Sequence, residues 1–193
     1  MAKLSDFIIS QVRVKLLKVF LGQPEEMFYV RELTRSVKEE INAVRRELGH
    51  LQACGLVQSE KRGNRLYYQV KTNYSFYPEL QSLVIKTTTV GQEIINNKTK
   101  LGFVKYAFIS QKLARRLPRT ADDVDLVLVG QIIMPQVAQV VKDIEVSLNT
   151  EINYSCMTED EFSFRKSHKD PFIISLLIKP RIMLIGDEVQ LAE

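Results

Sequence analysis

Residues 28–70 read FYVRELTRSVKEEINAVRRELGHLQACGLVQSEKRGNRLYYQV, and their pattern decides the fold of the first half of the chain. From Glu40 onward, apolar residues recur at helical spacing and predict an amphipathic helix that ends before Gly55, since glycine commonly terminates helices. The apolar stripe consists of Ile41, Val44, Leu48 and Leu51. The opposite side, which we expect to be exposed, carries Asn42, Arg45, Arg46 and Gly49.

Shorter elements are predicted on both sides of this helix. We predict helices at residues 6–21 and 30–37, a short strand at 27–29, and two hairpin strands at 56–61 and 66–71. The strands meet at a turn in which Gly63 and Asn64 tolerate positive φ. The basic and polar residues of the hairpin tip are Lys61, Arg62, Asn64 and Arg65. A basic tip therefore follows directly after a helix with exposed arginines.

The order helix, short strand, helix, helix and hairpin is typical of a winged helix-turn-helix, a unit that reads duplex DNA. Residues 1–100 carry 16 Lys and Arg against 10 Asp and Glu, a net charge of +6. Residues 101–193 carry 11 against 13, a net charge of −2. Basic charge is concentrated in the half that contains the motif, where it favours contact with phosphates. A solvated surface with a modest imbalance would give the same counts.

Acidic residues in the same stretch leave two other interpretations open. Arg45 and Arg46 could pair with Glu32 or Glu47 as ordinary surface ion pairs. Glu39 and Glu40 complement the dipole at the helix start, but they would also repel phosphates there. A winged helix used for protein interaction therefore stays an alternative to one that binds DNA.

Composition limits the remaining possibilities. The chain has 193 residues, 45% of them hydrophobic, which is enough for one large domain or two small ones. No apolar run approaches the ~20 residues of a membrane-spanning helix, and the N-terminus lacks a secretory signal pattern. Cys54 and Cys156 have no partner at metal-ligand spacing. We expect a soluble, cytoplasmic protein with no cofactor, no structural zinc and no membrane contact.

The sequence divides near its middle. A long helix is predicted from Phe76 to Ile95, interrupted around residues 87–91, and such a helix after a wing often packs against a second copy of the chain. Residues 96–102 form a polar linker. We therefore predict a first domain at residues 1–95, which forms a homodimer, and a second at residues 103–193. In the second domain we predict strands at residues 103–110, 124–129, 152–157 and 181–185, and helices at 135–148, from 159, and at 171–178.

The first domain resembles the ArsR-like winged-helix regulators over residues 5–90. The resemblance is carried by FYVREL, NAVRREL, GLV and NRLYYQV in this order. It implies that residues 40–53 enter the major groove, that Lys61, Arg62 and Arg65 lie against the backbone or minor groove, and that two copies bind a two-fold site. The metal-sensing cysteine clusters of some members have no counterpart here.

The second domain is similar to the small nucleotidyltransferases. The stretch AFISQKLARRLPRTADDVDLVLVG aligns with the family pattern without a gap, and INYSCMTEDEF and IMLIGD also resemble members that carry a winged helix in front. On this alignment Asp123 and Asp125 match the metal-binding carboxylates. Gln111 and Lys112 replace the family's Gly and Ser, and Arg116 replaces its second Gly. The resemblance implies a small α/β domain with a mixed sheet.

These replacements matter for catalysis. Two carboxylates spaced two apart on a strand point to the same side and could hold Mg²⁺ against a nucleotide's phosphates. The triphosphate must also press against backbone N–H groups, and a side chain at residue 111 obstructs that approach. The only acidic residue near the next strand, Glu151, precedes the strand. We therefore expect an inactive domain, with Asp123 and Asp125 as weak metal candidates that otherwise act as a cap and a solvated strand end.

The sequence predicts an α+β protein in which a winged helix-turn-helix precedes a nucleotidyltransferase-like domain. The expected function is sequence-specific binding of double-stranded DNA in transcription regulation, by a homodimer. The second domain serves assembly or binds an unknown small ligand or protein partner. Its basic cluster could meet DNA, bind an anion or merely solubilise a loop, and comprises Lys112, Arg115, Arg116 and Arg119. The alternatives are an active Mg-dependent nucleotidyltransferase and a protein-interaction module.

Overall fold

Helices and strands occur in both halves of the chain, and the α+β class expected from the sequence is confirmed. The computed structural model describes residues 8–120 and 122–193, except for the side chain of Thr89. The chain divides into two compact units, residues 1–87 and 88–193. The first contains a three-stranded sheet and the second a four-stranded sheet.

The first unit consists of four helices and three strands in its described part. These are α1 (Gln11–Gly22), β1 (Phe28–Tyr29), α2 (Val30–Val37), α3 (Ile41–Ala53), β2 (Val57–Arg62), β3 (Arg65–Val70) and α4 (Tyr77–Lys86). The strand order is β1-β3-β2, with both pairs antiparallel. The predicted short strand is present and pairs with the hairpin, since Tyr29 lies opposite Tyr67. The predicted helix start at residue 6 lies outside the described residues.

Local signals in the sequence set the ends of these elements. Ser10 caps α1, because its hydroxyl accepts a hydrogen bond from the N–H of Arg13 at 3.2 Å. Gly63 has φ of 59° in the two-residue turn between β2 and β3, a conformation that glycine adopts without strain. The core is continuous across the unit. Its fully buried side chains include Leu16, Phe20, Leu21, Leu33 and Leu48.

The second unit contains a mixed four-stranded sheet and several helices. Its elements are α5 (Thr89–Asn96), β4 (Gly102–Ser110), α6 (Gln111–Ala114), β5 (Leu126–Ile132), α7 (Met134–Leu148), β6 (Tyr154–Met157), α8 (Glu159–Ser167), α9 (Pro171–Ile178), β7 (Arg181–Ile185) and α10 (Glu188–Ala192). The strand order is β6-β5-β4-β7, with β5 and β6 parallel and the other pairs antiparallel. Strand β5 is central and buried from Leu126 to Gly130, as its apolar run predicts.

The boundary between the units differs from the predicted linker. The helix expected to reach Ile95 is interrupted within the predicted range 87–91 and forms two helices, since α4 ends at its C-cap Thr87 and Thr88 is the N-cap residue of α5. The division lies between these two threonines. Within residues 96–102, Leu101 is fully buried and Gly102 begins β4, so this stretch belongs to the second unit. The stretch resembles a linker in sequence because Leu101 is its only large apolar residue.

Two short helices, α6 and α10, were not predicted, because four or five residues do not display a helical period. Strand β5 begins at Leu126, two residues later than expected. The predicted bounds of α9 and β7 are confirmed. Within residues 8–120 and 122–193, no helix is long and apolar enough to cross a membrane.

Candidate nucleic-acid interface

One face of α3 is buried and the other is exposed, as the apolar stripe predicts. Val44, Leu48 and Leu51 are buried in the core of the first unit. Asn42, Arg45 and Arg46 are exposed. The predicted polar face of α3 is therefore open to solvent within this chain.

One acidic residue departs from that division. Glu47 is only 6% exposed, and its carboxylate accepts hydrogen bonds from Ser10 Oγ at 2.8 Å and from Arg13 Nε at 2.7 Å. Burial acts to raise the pKa of Glu47, but the hydrogen bonds from Ser10 and Arg13 outweigh it and hold the pKa below its ordinary value. This carboxylate therefore anchors α3 to α1.

The partners considered for Arg45 and Arg46 are engaged elsewhere. Glu47 binds Arg13, and Glu32 accepts the backbone N–H of Tyr29 at 3.4 Å. Neither Arg45 nor Arg46 forms an ion pair or a side-chain hydrogen bond with any residue in the described ranges. Both guanidinium groups are thus available to a ligand.

Glu40 uses its carboxylate at the start of α3. It accepts hydrogen bonds from the backbone N–H groups of Asn42 at 2.7 Å and Ala43 at 3.0 Å. These two hydrogen bonds, followed by the charges of Arg45 and Arg46, hold the pKa of Glu40 below its ordinary value. A negative charge therefore stays at this end of the helix. Glu39 is engaged by Lys15 of α1.

The four predicted residues of the hairpin tip are all exposed, but their surroundings differ. Arg62 donates to both carboxylate oxygens of Glu60, at 3.0 Å and 3.1 Å, so its charge is largely matched. Arg65 instead lies over the ring of Tyr29, with Cζ 4.8 Å from the ring centroid. The hydroxyl of Tyr29 accepts a hydrogen bond from Arg35 at 3.0 Å.

A cleft of about 670 Å³ lies between the start of α2, the α3 helix and the hairpin. It is lined by Arg31, Arg45, Asn64 and Arg65 together with the rings of Tyr29 and Tyr68. The structure thus brings together three predicted residues, from α3 and the hairpin. Asn42, Arg46, Lys61 and Arg62 do not line the cleft.

Sequence reasoning missed Tyr29 and Arg31. The signal for Arg31 was present, because the inward positions Val30, Leu33 and Val37 leave Arg31 on the outer side of α2. Tyr29 could not be found in this way. Its role depends on contacts with Arg35 and Arg65, which the fold brings together.

In the second unit, Asp123 and Asp125 lie just before β5 and are 5% and 3% exposed. Asp123 Oδ2 accepts hydrogen bonds from Lys112 Nζ at 2.7 Å and from the N–H and hydroxyl of Thr120 at 2.9 and 3.1 Å. Lys179 Nζ lies 3.6 Å from the other oxygen. The bond from Lys112, followed by that from the Thr120 N–H, holds the pKa of Asp123 well below its ordinary value.

Asp125 is tied to the loop before β6. Its Oδ2 forms an ion pair with Arg119 and accepts the N–H of Asn153 at 3.0 Å. Arg119 also donates to the hydroxyl of Thr150 at 2.7 Å and to the carbonyl of Glu151 at 3.2 Å. The expectation that Asp125 is a solvated strand end is wrong, because this network buries it.

These contacts do not suit a divalent cation. Three of the four carboxylate oxygens already face cationic side chains or N–H donors, and the fourth, Asp125 Oδ1, is buried with no hydrogen-bond partner among the described residues. Glu151 is exposed, and Asn153 stands opposite Asp125 at the strand start. In the part of the chain that the structure describes, no three His, Cys, Asp or Glu residues cluster as metal ligands would. Side chains of the protein thus supply the positive charge that a metal would otherwise supply.

Comparison with known proteins adds little to this geometry. No protein-family model matches the chain. No curated protein is detectably similar to it in sequence. Among solved structures, human N-acetylserotonin methyltransferase in complex with SAM is similar over 59% of this chain and 35% of that chain, with 14% identity and a TM-score of 0.31. The chain spans about a third of that protein's length, and so distant a likeness carries no conclusion about function.

Proposed function

We propose that the chain is a sequence-specific DNA-binding transcription regulator whose first unit is a winged helix of the ArsR-like kind. The observation that carries this proposal is that Arg45 and Arg46 are exposed on α3 and form no ion pair or side-chain hydrogen bond with the described residues. Their candidate partners Glu32 and Glu47 are engaged elsewhere. The basic hairpin tip of the same unit adds a second contact of the same sign.

In the proposed mechanism, one group of residues contacts the bases and another contacts the DNA backbone. Asn42, Arg45 and Arg46 reach base edges in the major groove and provide sequence specificity. Lys61, Arg62, Asn64 and Arg65 contact phosphates or the minor groove and provide affinity that depends on salt. A homodimer would present two such faces to a two-fold site.

For the second unit we propose a catalytically silent nucleotidyltransferase-like domain that serves assembly or ligand sensing. Lys112 and Arg119 neutralise the two carboxylates that a nucleotidyltransferase would use for Mg²⁺. Residue 111 begins α6 directly after Ser110, whose hydroxyl accepts the N–H of Leu113 at 3.1 Å. A compact glycine loop for a triphosphate is therefore replaced by a capped helical turn.

Selection of bound duplexes from a random pool, followed by binding curves with the selected sequence, tests the DNA-binding proposal. Arg46→Ala should lose about 1–3 kcal/mol of discrimination at one base pair. Arg62→Ala should weaken all sequences alike and reduce their salt dependence. If the Arg46→Ala/Arg62→Ala double variant bound duplex DNA as tightly as the wild type, the proposal would fail.

The retained pair Asp123 and Asp125 favours one competing function, an active nucleotidyltransferase. Incubation with labelled nucleoside triphosphates and Mg²⁺ separates the two. We expect no product from the wild type. Product that is lost in Asp123→Asn would overturn the silent assignment and leave the DNA-binding proposal untouched.

A further inference from the structure

The cleft in the first unit combines residues from three elements around one space. Arg31 comes from the first turn of α2, Arg45 from α3 and Arg65 from β3. The residues that line the cleft include these three arginines and, within the described chain, no carboxylate. Its positive charge is therefore not cancelled inside the cleft.

The backbone around the cleft also favours an anion. The first residues of α2, Val30 and Arg31, line it, so the positive end of this helix dipole faces the same space. Strand β1 pairs only with Tyr67 and Tyr68, so the Arg65–Leu66 segment of β3 has no neighbouring strand on that side among the described residues. The cleft is thus open to a chain that passes along it.

Two of the three guanidinium groups have no partner. Arg31 and Arg45 are exposed and form no ion pair or side-chain hydrogen bond with the described residues. Arg65 is held over the ring of Tyr29, whose hydroxyl is bound by Arg35. Tyr29 therefore fixes the position of Arg65, and the guanidinium groups of Arg31 and Arg45 remain available for a ligand.

We propose that this cleft binds a phosphate of the duplex backbone, held by Arg31, Arg45 and Arg65, and that Tyr29 is a positioning residue for Arg65. The inference rests on the proposed function. It adds a DNA contact at the cleft, which lies between the DNA contacts of α3 and those of the hairpin tip. Guanidinium groups bind phosphate through paired N–H donors, which suits three arginines that converge on one space. Arg45 then contacts the backbone as well as a base.

The first test uses the full chain and the selected duplex, measured by fluorescence anisotropy over a range of salt concentrations. Arg31→Gln should weaken binding about tenfold for every sequence and lower the slope of log affinity against log salt by about 1. Lys18→Gln removes the same charge from an exposed residue of α1 outside the cleft and is the matched control. Equal loss in both variants would mean that only net charge matters, and would overturn the cleft.

A second test locates the phosphate on the DNA. Replacing backbone phosphates one at a time by neutral methylphosphonates should reveal a position at which the replacement weakens Arg31→Gln clearly less than the wild type, because Arg45 and Arg65 still contact that phosphate in the variant. If no such position exists, the assignment of Arg31 is wrong. Tyr29→Leu should also be less sensitive than the wild type at this position, whereas Tyr29→Phe, which keeps the ring under Arg65, should weaken binding less than Tyr29→Leu.

Two outcomes separate this inference from the function on which it rests. Loss of binding in Arg46→Gln with full binding in Arg31→Gln would refute the cleft and leave DNA binding intact. No binding of any duplex by the wild type would end both. Inorganic phosphate, substituted for chloride at equal ionic strength, should not compete beyond chloride. Competition that disappears in Arg31→Gln would reassign the cleft to a free phosphate-bearing ligand and overturn the backbone assignment.

Discussion

Arg13 Nε lies 2.7 Å from Glu47 Oε2, and this ion pair joins α1 to the inner side of α3. The two residues are 34 positions apart in the sequence. Because Glu47 turns inward to Arg13 and Ser10, it is withdrawn from its neighbours Arg45 and Arg46 on the same helix. Glu47 thus takes no part in the exposed basic face of α3.

Replacing Glu47 by alanine should destabilise the first unit by about 2 kcal/mol, because it leaves Arg13 and Ser10 without their partly buried acceptor. Urea denaturation of the full chain measures this change. Glu60→Gln is the control, since the Glu60–Arg62 pair is exposed and should change stability much less. Equal effects of the two substitutions would contradict an anchoring role for Glu47.

Glu60→Gln should strengthen binding of all duplexes roughly 2- to 5-fold, the equivalent of an exposed ion pair, because it releases Arg62 for phosphates. Anisotropy titrations at low salt measure the gain, which should shrink as salt is added. Glu161→Gln breaks a similar exposed pair with Arg165 in the second unit and should leave duplex affinity unchanged. A gain in both variants would point to net charge instead of the hairpin tip.

Asp125→Ala and Arg119→Ala should each destabilise the second unit by about 3 kcal/mol, because each leaves a half-buried or buried partner without a counter-charge. The double variant should cost clearly less than the two single variants together. The cycle is measured by urea denaturation. The same cycle on the exposed pair Lys105 and Glu159 is the control and should show coupling below about 1 kcal/mol. Additive losses at Asp125 and Arg119 would mean that their contact contributes no coupling.

Stability should fall in acid partly through Asp123. The pKa of its carboxyl is lowered from 3.8 in the folded chain by Lys112 and then by Thr120, so ionised Asp123 stabilises the fold. This contribution is present above about pH 4 and is lost as the pH falls toward the lowered native pKa. Asp123→Asn and Lys112→Met should therefore lose less stability than the wild type between about pH 5 and pH 2, as urea midpoints would show. An unchanged acid slope in both variants would rule out this coupling.

The two cysteines should react at different rates with a thiol reagent. Cys54 is exposed, whereas burial raises the pKa of the Cys156 thiol to about 11. At neutral pH the native chain should therefore be labelled first at Cys54, and Cys54→Ser should be labelled slowly until urea unfolds it. Mass spectrometry of the labelled peptides distinguishes the sites. Fast labelling of native Cys54→Ser would show that Cys156 is more accessible than its burial implies.

Much of the fold could be predicted from the sequence because its signals are local. The stripe Val44, Leu48 and Leu51 predicted which side of α3 is buried, and Gly63 with Asn64 predicted the hairpin turn. The predicted bounds of α9 also agree with the structure, in which Asp170 caps the helix and Pro171 begins it. The boundary between the units was less accessible, because Leu101 alone distinguishes a packed segment from a linker.

The candidate site was also predictable only in part. The exposed residues of α3 and of the hairpin tip followed from periodicity, since a helical face and a turn are defined by neighbours in sequence. The cleft did not, because Tyr29, Arg31, Arg45 and Arg65 meet only when α2, α3 and β3 pack together. The neutralisation of Asp123 could not be predicted from periodicity either. Lys112 precedes Asp123 in the sequence and Lys179 follows it at a distance, and both reach it only in the folded unit.

By itself, the sequence determined where the longer helices lie, which faces are apolar and where basic charge is concentrated. Only the tertiary structure decided which charges remain free. Glu47 binds Arg13 and leaves Arg45 and Arg46 open, whereas Asp123 and Asp125 are neutralised by Lys112 and Arg119. The physical reason is that periodicity depends on residues three or four apart, whereas an ion pair depends on distance in space, which packing alone sets.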